Sequence, residues 1–422
     1  MTTPRQFASG QAHDLWRDFE SICDCGGRLA GTESERAATK LLKSLGREAT
    51  GVACRVERVP YAGWSAQSTE LTGPDGARHG CHPLVRSVAT PAGGLEAEVV
   101  DLGRGTPDDF DAHRGEIAGR FVLVRHELMF APDTVHRRLK YRMAVEAGAV
   151  GFLIAGPVPG SLVAGSSGRG EENGIPAVGI APETAGVFAP SGGERPSARL
   201  RLETREAPAL AENLIFDIPG QADEWIVLSA HIDGHDLAES AIDNASGLAV
   251  ALEVARRLRR QTERRRRGLR LAFFNVEEWA LLGSAFHVAS LADRERKAIA
   301  LNVNLDSVAG GARLTALTSG FAGLEPFLAG CAEGARIPLG VHRPLQLNSD
   351  HANFAQAGIP AFRLVAGFAE PTAATAGVLT AADTRDKVDA DGLKRAACLA
   401  TAITAAALDA DAADTRGWRV AS

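Results

Sequence analysis

Apolar and polar positions divide the chain into three stretches of different rhythm. Residues 12 to 60 predict helix, turn, helix, strand. Thr32 and the early acids Glu33 and Glu35 precede Ala37, Ala38, Leu41 and Leu42, the signature of a capped amphipathic helix. Cys54–Val59 alternates as a half-buried strand does. Residues 66 to 208 carry short apolar runs separated by glycine and proline, among them 97–102, 120–124, 151–154 and 175–180, with one helix expected from about Thr134 to Ala147. That pattern predicts a small β-rich module. From about Asn213 the rhythm becomes strand, loop, helix, repeated, with apolar runs at 225–228, 269–274, 300–305 and 361–365. Such alternation implies a mostly parallel sheet covered by helices on both faces, a three-layer α/β/α sandwich. The expected organisation is one α/β domain built from residues 1–65 and 209–422, with residues 66–208 inserted as the β-rich module.

Composition narrows the picture rather than changing it. A chain of 422 residues exceeds one ordinary core, and 45% hydrophobic with 23% charged residues is globular. A formal net charge of -6 gives no bulk signal for nucleic acid. No apolar leader and no run long enough to cross a bilayer is seen, so a cytoplasmic address and no membrane partner are expected. The scattered cysteines 23, 25, 54, 81, 331 and 398 are expected to be reduced structural thiols. The arginine-rich run from Arg256 to Arg267 reads as a solvated helix end.

Three polar clusters directly follow predicted strands: His231-Ile232-Asp233 after 227–230, Glu277-Glu278 after 273–276, and Asp306 after 303–305. Carboxyl ends of parallel strands form one rim, where ligands bind. Asp243, in the Ala241–Gly247 turn, belongs to the same rim. Singly, each cluster is more often a polar turn or a helix start. Together, four acids and an imidazole without thiolates suit a catalytic zinc site rather than a structural one. A carboxylate such as Asp243 can bridge two ions, and of the adjacent glutamates one can bind metal while the other serves as general base.

The segments Ala230-His231-Ile232-Asp233, Ala241–Gly247, Glu277–Ser284 and Asn304-Leu305-Asp306 resemble the di-zinc aminopeptidase family, which includes leucyl-type aminopeptidases and glutamate carboxypeptidase. Arg28–Thr32, Ser349–Phe354 and Gly358–Ala361 look like further family segments, and the insertion resembles a protease-associated domain. The resemblance implies His231 and Asp306 on one zinc, Asp243 bridging, Glu278 on the second zinc, Glu277 as general base, and Asp233 orienting His231. It implies hydrolysis of a peptide or amide carbonyl by metal-activated water, with small peptides as substrates and a homodimer as one arrangement. The family's second-zinc histidine has no counterpart: the matching stretch reads Leu379-Thr380-Ala381-Ala382-Asp383-Thr384. Either His351 or His235 substitutes, or one ion alone binds tightly. Two alternatives to an aminopeptidase follow, a metal-dependent amidase on a non-peptide substrate and a catalytically inactive partner-binding homologue. A glutaminyl cyclase is disfavoured, because those enzymes keep the zinc on the Glu278 side. Arg142 and Arg363 are the candidates for contacting a substrate terminus.

Overall fold

In the computed structural model, which describes residues 9–170, 174–189 and 194–420, fourteen strands among the described residues form one hydrogen-bonded sheet, with β1 and β2 branching from it at β8. They are β1 (Arg55–Thr72), β2 (Arg78–His79), β3 (Cys81–Pro83), β4 (Leu95–Asp101), β5 (Phe121–Arg125), β6 (Gly151–Ala155), β7 (Ala177–Ile180), β8 (Ser197–Ile218), β9 (Trp225–His231), β10 (Gly268–Phe274), β11 (Ile299–Leu305), β12 (Leu314–Leu317), β13 (Leu339–His342) and β14 (Ala361–Ala366). Residues 1–8, on which the leader reading rests, lie outside the described residues.

The C-terminal part is the expected three-layer sandwich. Strands β10, β9, β11 and β14 run parallel and are buried at every position except Trp225 of β9, which is why they read as mostly apolar runs. Ile226, Leu228, Leu271 and Phe273 face one core under the helices Ser246–Thr262 and Ala390–Asp409. Val227, Ala272 and Phe274 face the other, with Val288 and Phe354 from the helices Leu282–Ser290 and His351–Gln356. Strands β12 and β13 extend the sheet, β12 antiparallel to β14.

The insertion departs from the sandwich through a ribbon. Antiparallel β1 and β8 stay paired from Arg55↔Ile215 to Thr72↔Arg199, with one register shift between Ala66 and Ser68, so the ribbon runs through the expected boundaries at 65/66 and 208/209. Its far end joins β4, and β5, β6 and β7 follow in parallel. Val122, Val124, Phe152 and Ile154 lie in the same contiguous core as the sandwich. The expected helix is shorter, Arg137–Glu146, because His136 turns its imidazole back to accept the Arg138 N–H and so starts it there. The helix Glu33–Thr50 begins as expected, with Thr32 accepting from the Glu35 N–H.

The arginine run corrects an expectation. Arg260, Arg264 and Arg266 are exposed, but Arg267 is buried, paired with Glu224 at 2.8 Å and donating to the carbonyls of Ala407 and Ala410. Arg256 pairs with Asp18 and Glu253. The run leaves the helix and enters β10, so its last member must cross the core and finds acceptors there. The six cysteines are free, and no helix among the described residues is long and apolar enough to cross a membrane.

One buried ion-pair cluster ties ribbon to sandwich. Glu57 on β1 accepts from His287 Nδ1 at 3.0 Å, Arg55 at 2.6 Å and Asn213 at 3.3 Å. Burial alone would raise this carboxyl, but the His287 hydrogen bond and charge, with Arg55 and Asn213, outweigh it and lower its pKa from 4.5 to about 2. A carboxyl with a depressed folded-state value stabilises fully above its unfolded value and loses that contribution as pH falls through the folded one. Glu57→Gln is therefore expected to cost about 2–3 kcal/mol at pH 7. Denaturant titrations should show the two proteins converging as pH falls from about 4.5 towards 2; a gap unchanged across that window would refute the assignment.

Candidate metal centre

His231 closes β9 and lies in register with Phe274 of β10, so the loop after β10 begins beside the imidazole. The sharp bend of that loop needs Val276 at φ 52, an unusual left-handed position for a β-branched residue. Trp279 pins the loop, fully buried, with its indole N–H on the Ala62 carbonyl at 3.1 Å. Gly283 lets it close, since a Cβ there would lie 2.2 Å from the Asn275 oxygen. Asn244 couples the other two turns. Its amide donates to the Leu305 carbonyl at 2.9 Å, and its oxygen accepts the N–H groups of Gly247 and Ser307. The turn bearing Asp243 is thereby fastened to the strand end bearing Asp306.

These constraints bring the predicted side chains together. His231 Nε2 lies 2.9 Å from Asp243 Oδ1 and 3.6 Å from Asp306 Oδ1. One ligand atom each from His231, Glu277 and Asp306 falls within a 4.8 Å cluster. Asp243, Glu277, Glu278 and Asp306 line one cleft with Leu379. Two predicted details differ. The Asp233 carboxylate is 3.9 Å from His231 Nδ1, and it is the Asp233 main-chain carbonyl, at 3.0 Å, that holds that nitrogen. The carboxylate instead accepts the backbone N–H groups of Glu277 at 2.9 Å and Glu278 at 3.1 Å, fixing both glutamates. Neither His351 nor His235 lines the cleft. His351 is fully buried with neither ring nitrogen hydrogen-bonded, and burial followed by the Arg363 charge lowers its pKa to about 3. His235 accepts the Leu237 N–H, and its Nε2 is 4.0 Å from Asp383.

The electrostatics suit a cation. Burial raises the Glu277 carboxyl, and Glu278, Asp350 and Asp306 add to the rise. Glu278 is pushed to about 8 by burial and by Asp243 and Asp233. Burial also raises Asp306, yet the Arg363 guanidinium at 3.1 Å and His231 reverse this and hold it well below the usual carboxylate range. Burial would lower His231, but Glu277, Asp243 and Asp306 lift it well above 6.5. His231 Nε2 and Asp243 Oδ1 are both buried without a hydrogen-bond partner, although they face each other. An imidazole nitrogen and carboxylate oxygens, desolvated and aimed at one point, are the donor set of a zinc site with open coordination. The His231–Asp243–Asp306 position fits that ion. The Glu278 side offers carboxylates and Leu379, and does not supply the expected histidine.

Sequence reasoning missed several parts. Asp383 accepts the N–H groups of Ile242 at 2.6 Å and Asp243 at 3.2 Å, so it sets the Asp243 turn. Ser349 donates to Asp306 and accepts from Asn304. Asp350 is buried with neither oxygen hydrogen-bonded, and burial raises it to about 7. Both residues sat in a segment already marked by its family resemblance, but only the fold shows Ser349 bonded to Asp306. Arg363 lies in the cleft wall, over the Phe130 ring, whereas Arg142 is exposed and absent from it. The insertion contributes His136, Arg137, Arg138 and Ser166, for which no local motif exists.

Residues 213–404 match Peptidase family M28, and residues 82–186 match the PA domain. The chain thus carries one segment similar to M28 peptidases and another similar to the PA domain. Among curated proteins, aminopeptidase YwaD of Bacillus subtilis (strain 168) is 27% identical over 289 residues, 67% of this chain and 58% of that protein. Leucine aminopeptidase 2 of Trichophyton rubrum is 27% identical over 226 residues, 53% of this chain and 43% of that protein. The chain thus spans about half the length of these curated relatives. Its fold matches the solved structure of BSAP, a zinc aminopeptidase from Bacillus subtilis, with a TM-score of 0.76, 24% identity, and coverage of 97% of this chain and 98% of that one. The PA match covers most of the insertion expected from its strand rhythm.

Asp233 offers a test of glutamate positioning. Asparagine keeps one acceptor and places an amide against the second N–H, so Asp233→Asn is expected to lower kcat/KM by roughly 10–100-fold. Steady-state assays alongside thermal melting should separate that loss from unfolding; unchanged turnover would remove the carboxylate from the site.

Proposed function

We propose that this M28 protein is a zinc-dependent aminopeptidase releasing N-terminal residues from small peptides. The observation that carries the reading is the convergence of His231, Asp243 and Asp306 with Glu277 at one strand-end rim. The names of the relatives support the same activity. Zinc bound there would supply Lewis acidity, polarising a scissile carbonyl and acidifying water. His231, Asp243 and Asp306 would hold it, the imidazole fixed by the Asp233 carbonyl and Asp306 by Arg363 and Ser349. Glu277, desolvated beside that position, would take the proton of the attacking water on its carboxylate and return it to the leaving amine. Met129 and Phe130 from the insertion line the same cleft.

The test is hydrolysis of aminoacyl-nitroanilides with and without chelator. Turnover that chelator removes and zinc restores is expected. Activity confined to amides without a free α-amine would replace this reading by the amidase, and absence of turnover on any amide, with zinc bound, would favour the partner-binding homologue.

A further inference from the structure

The wall of the cleft beside Glu278 is built by two distant segments. Leu379, buried and left-handed at φ 64, lines it where the resemblance places a second-zinc histidine. The PA insertion is strapped to that segment. The Ala164 N–H donates to the Leu379 carbonyl at 2.7 Å, Val163 and Thr380 form an antiparallel bridge, and the Ala381 N–H reaches Ser161 Oγ at 3.1 Å. The same insertion loop seats a guanidinium. Arg137 Nε donates to the Ser166 carbonyl at 2.6 Å, and Gly165 leaves the room, since a Cβ there would lie 2.4 Å from Arg137 Nη2 and 2.8 Å from Nη1. Arg137 is 4% exposed, and its Nη1 is buried without a hydrogen-bond partner. The carboxylates bearing on its charge are Glu278 and then Glu277. A buried cation is tolerated only against compensating charge, and buried acids require the same.

We propose that Arg137 stands in for the second metal: the insertion delivers a fixed guanidinium charge to the Glu278 side, and the protein holds a single zinc at His231, Asp243 and Asp306. This deepens the zinc-hydrolase reading and rests on it. The Glu278 side has no side-chain histidine at Leu379 to complete an ion's ligands, and a fixed positive charge nearby repels a second dication. His136 also lines this cleft, with its Nδ1 engaged by the Arg138 N–H at 3.1 Å.

Metal content per chain, measured by mass spectrometry after zinc loading and dialysis, tests the proposal. Histidine tolerates the left-handed backbone at 379 better than leucine, so Leu379→His is a mild change. Wild type and Leu379→His should each retain one equivalent. Leu379→His with Arg137→Gln should retain two, and Leu379→His with Arg137→Lys, which keeps the charge, should stay at one. Circular dichroism and melting of every variant establish that each is folded. Two equivalents in wild type would overturn the proposal and make His136 the completing ligand. Two in Leu379→His alone, or one in the folded Arg137→Gln double variant, would show that Arg137 does not exclude the ion. No zinc in any variant, wild type included, would instead sink the zinc-hydrolase reading itself.

Discussion

Glu277→Gln is expected to lower kcat by roughly 10²–10⁴-fold, the span a positioned general base supplies. Glutamine matches glutamate in size and keeps one acceptor oxygen, so the packing around it should survive. What it loses is the ability to take a proton. The residue sits in the cleft wall beside His231 and Asp306, its backbone N–H held by Asp233 and its carboxyl raised by burial and by Glu278. A carboxylate desolvated among other acids is a stronger base than one in water. The expected signature is a fall in kcat on an aminoacyl-nitroanilide with zinc content unchanged. Loss of zinc in the same variant would make Glu277 a ligand, which its place in the 4.8 Å cluster also permits, and would move the base role to another residue.

His231→Ala should do more. The imidazole supplies the nitrogen of the His231, Glu277 and Asp306 cluster, buried to 1% exposure and oriented by a main-chain carbonyl at 3.0 Å. Removing it leaves Asp243 and Asp306 facing each other without the group that now stands between them. Loss of an outer partner of a zinc ligand costs roughly 10–100-fold in affinity, and loss of the ligand itself should exceed that. Turnover should drop to background, and zinc titration should show affinity reduced by more than about 100-fold. Zinc retained at wild-type affinity with turnover abolished would place the ion elsewhere.

Legibility differed by the range of the forces involved. Strands β9, β10, β11 and β14 were readable because a strand buried on both faces is apolar along most of its length, a local signal. His231, Asp243, Glu277, Glu278 and Asp306 were readable because parallel strands end on one rim, so residues remote in sequence share a place by topology alone. The short strands β12 and β13 were missed: four residues each give no period to count. Arg267 was misread as solvated because the acceptors that bury it, Glu224 and the end of the helix Ala390–Asp409, lie far along the chain.

By itself the sequence determined the α/β sandwich, the inserted β-rich module and the acids and imidazole that meet at the strand ends, since periodicity and strand polarity are properties of local order. The tertiary structure alone decided which groups complete that centre. Asp383 beneath the Asp243 turn and Arg363 against Asp306 are fixed by contacts across more than fifty positions of chain, and Arg137 is seated by Ser166 on the insertion before it reaches the cleft. The physical reason is that a buried charge is placed by whatever opposite charge or carbonyl the packed chain presents to it, and no neighbour in sequence carries that information.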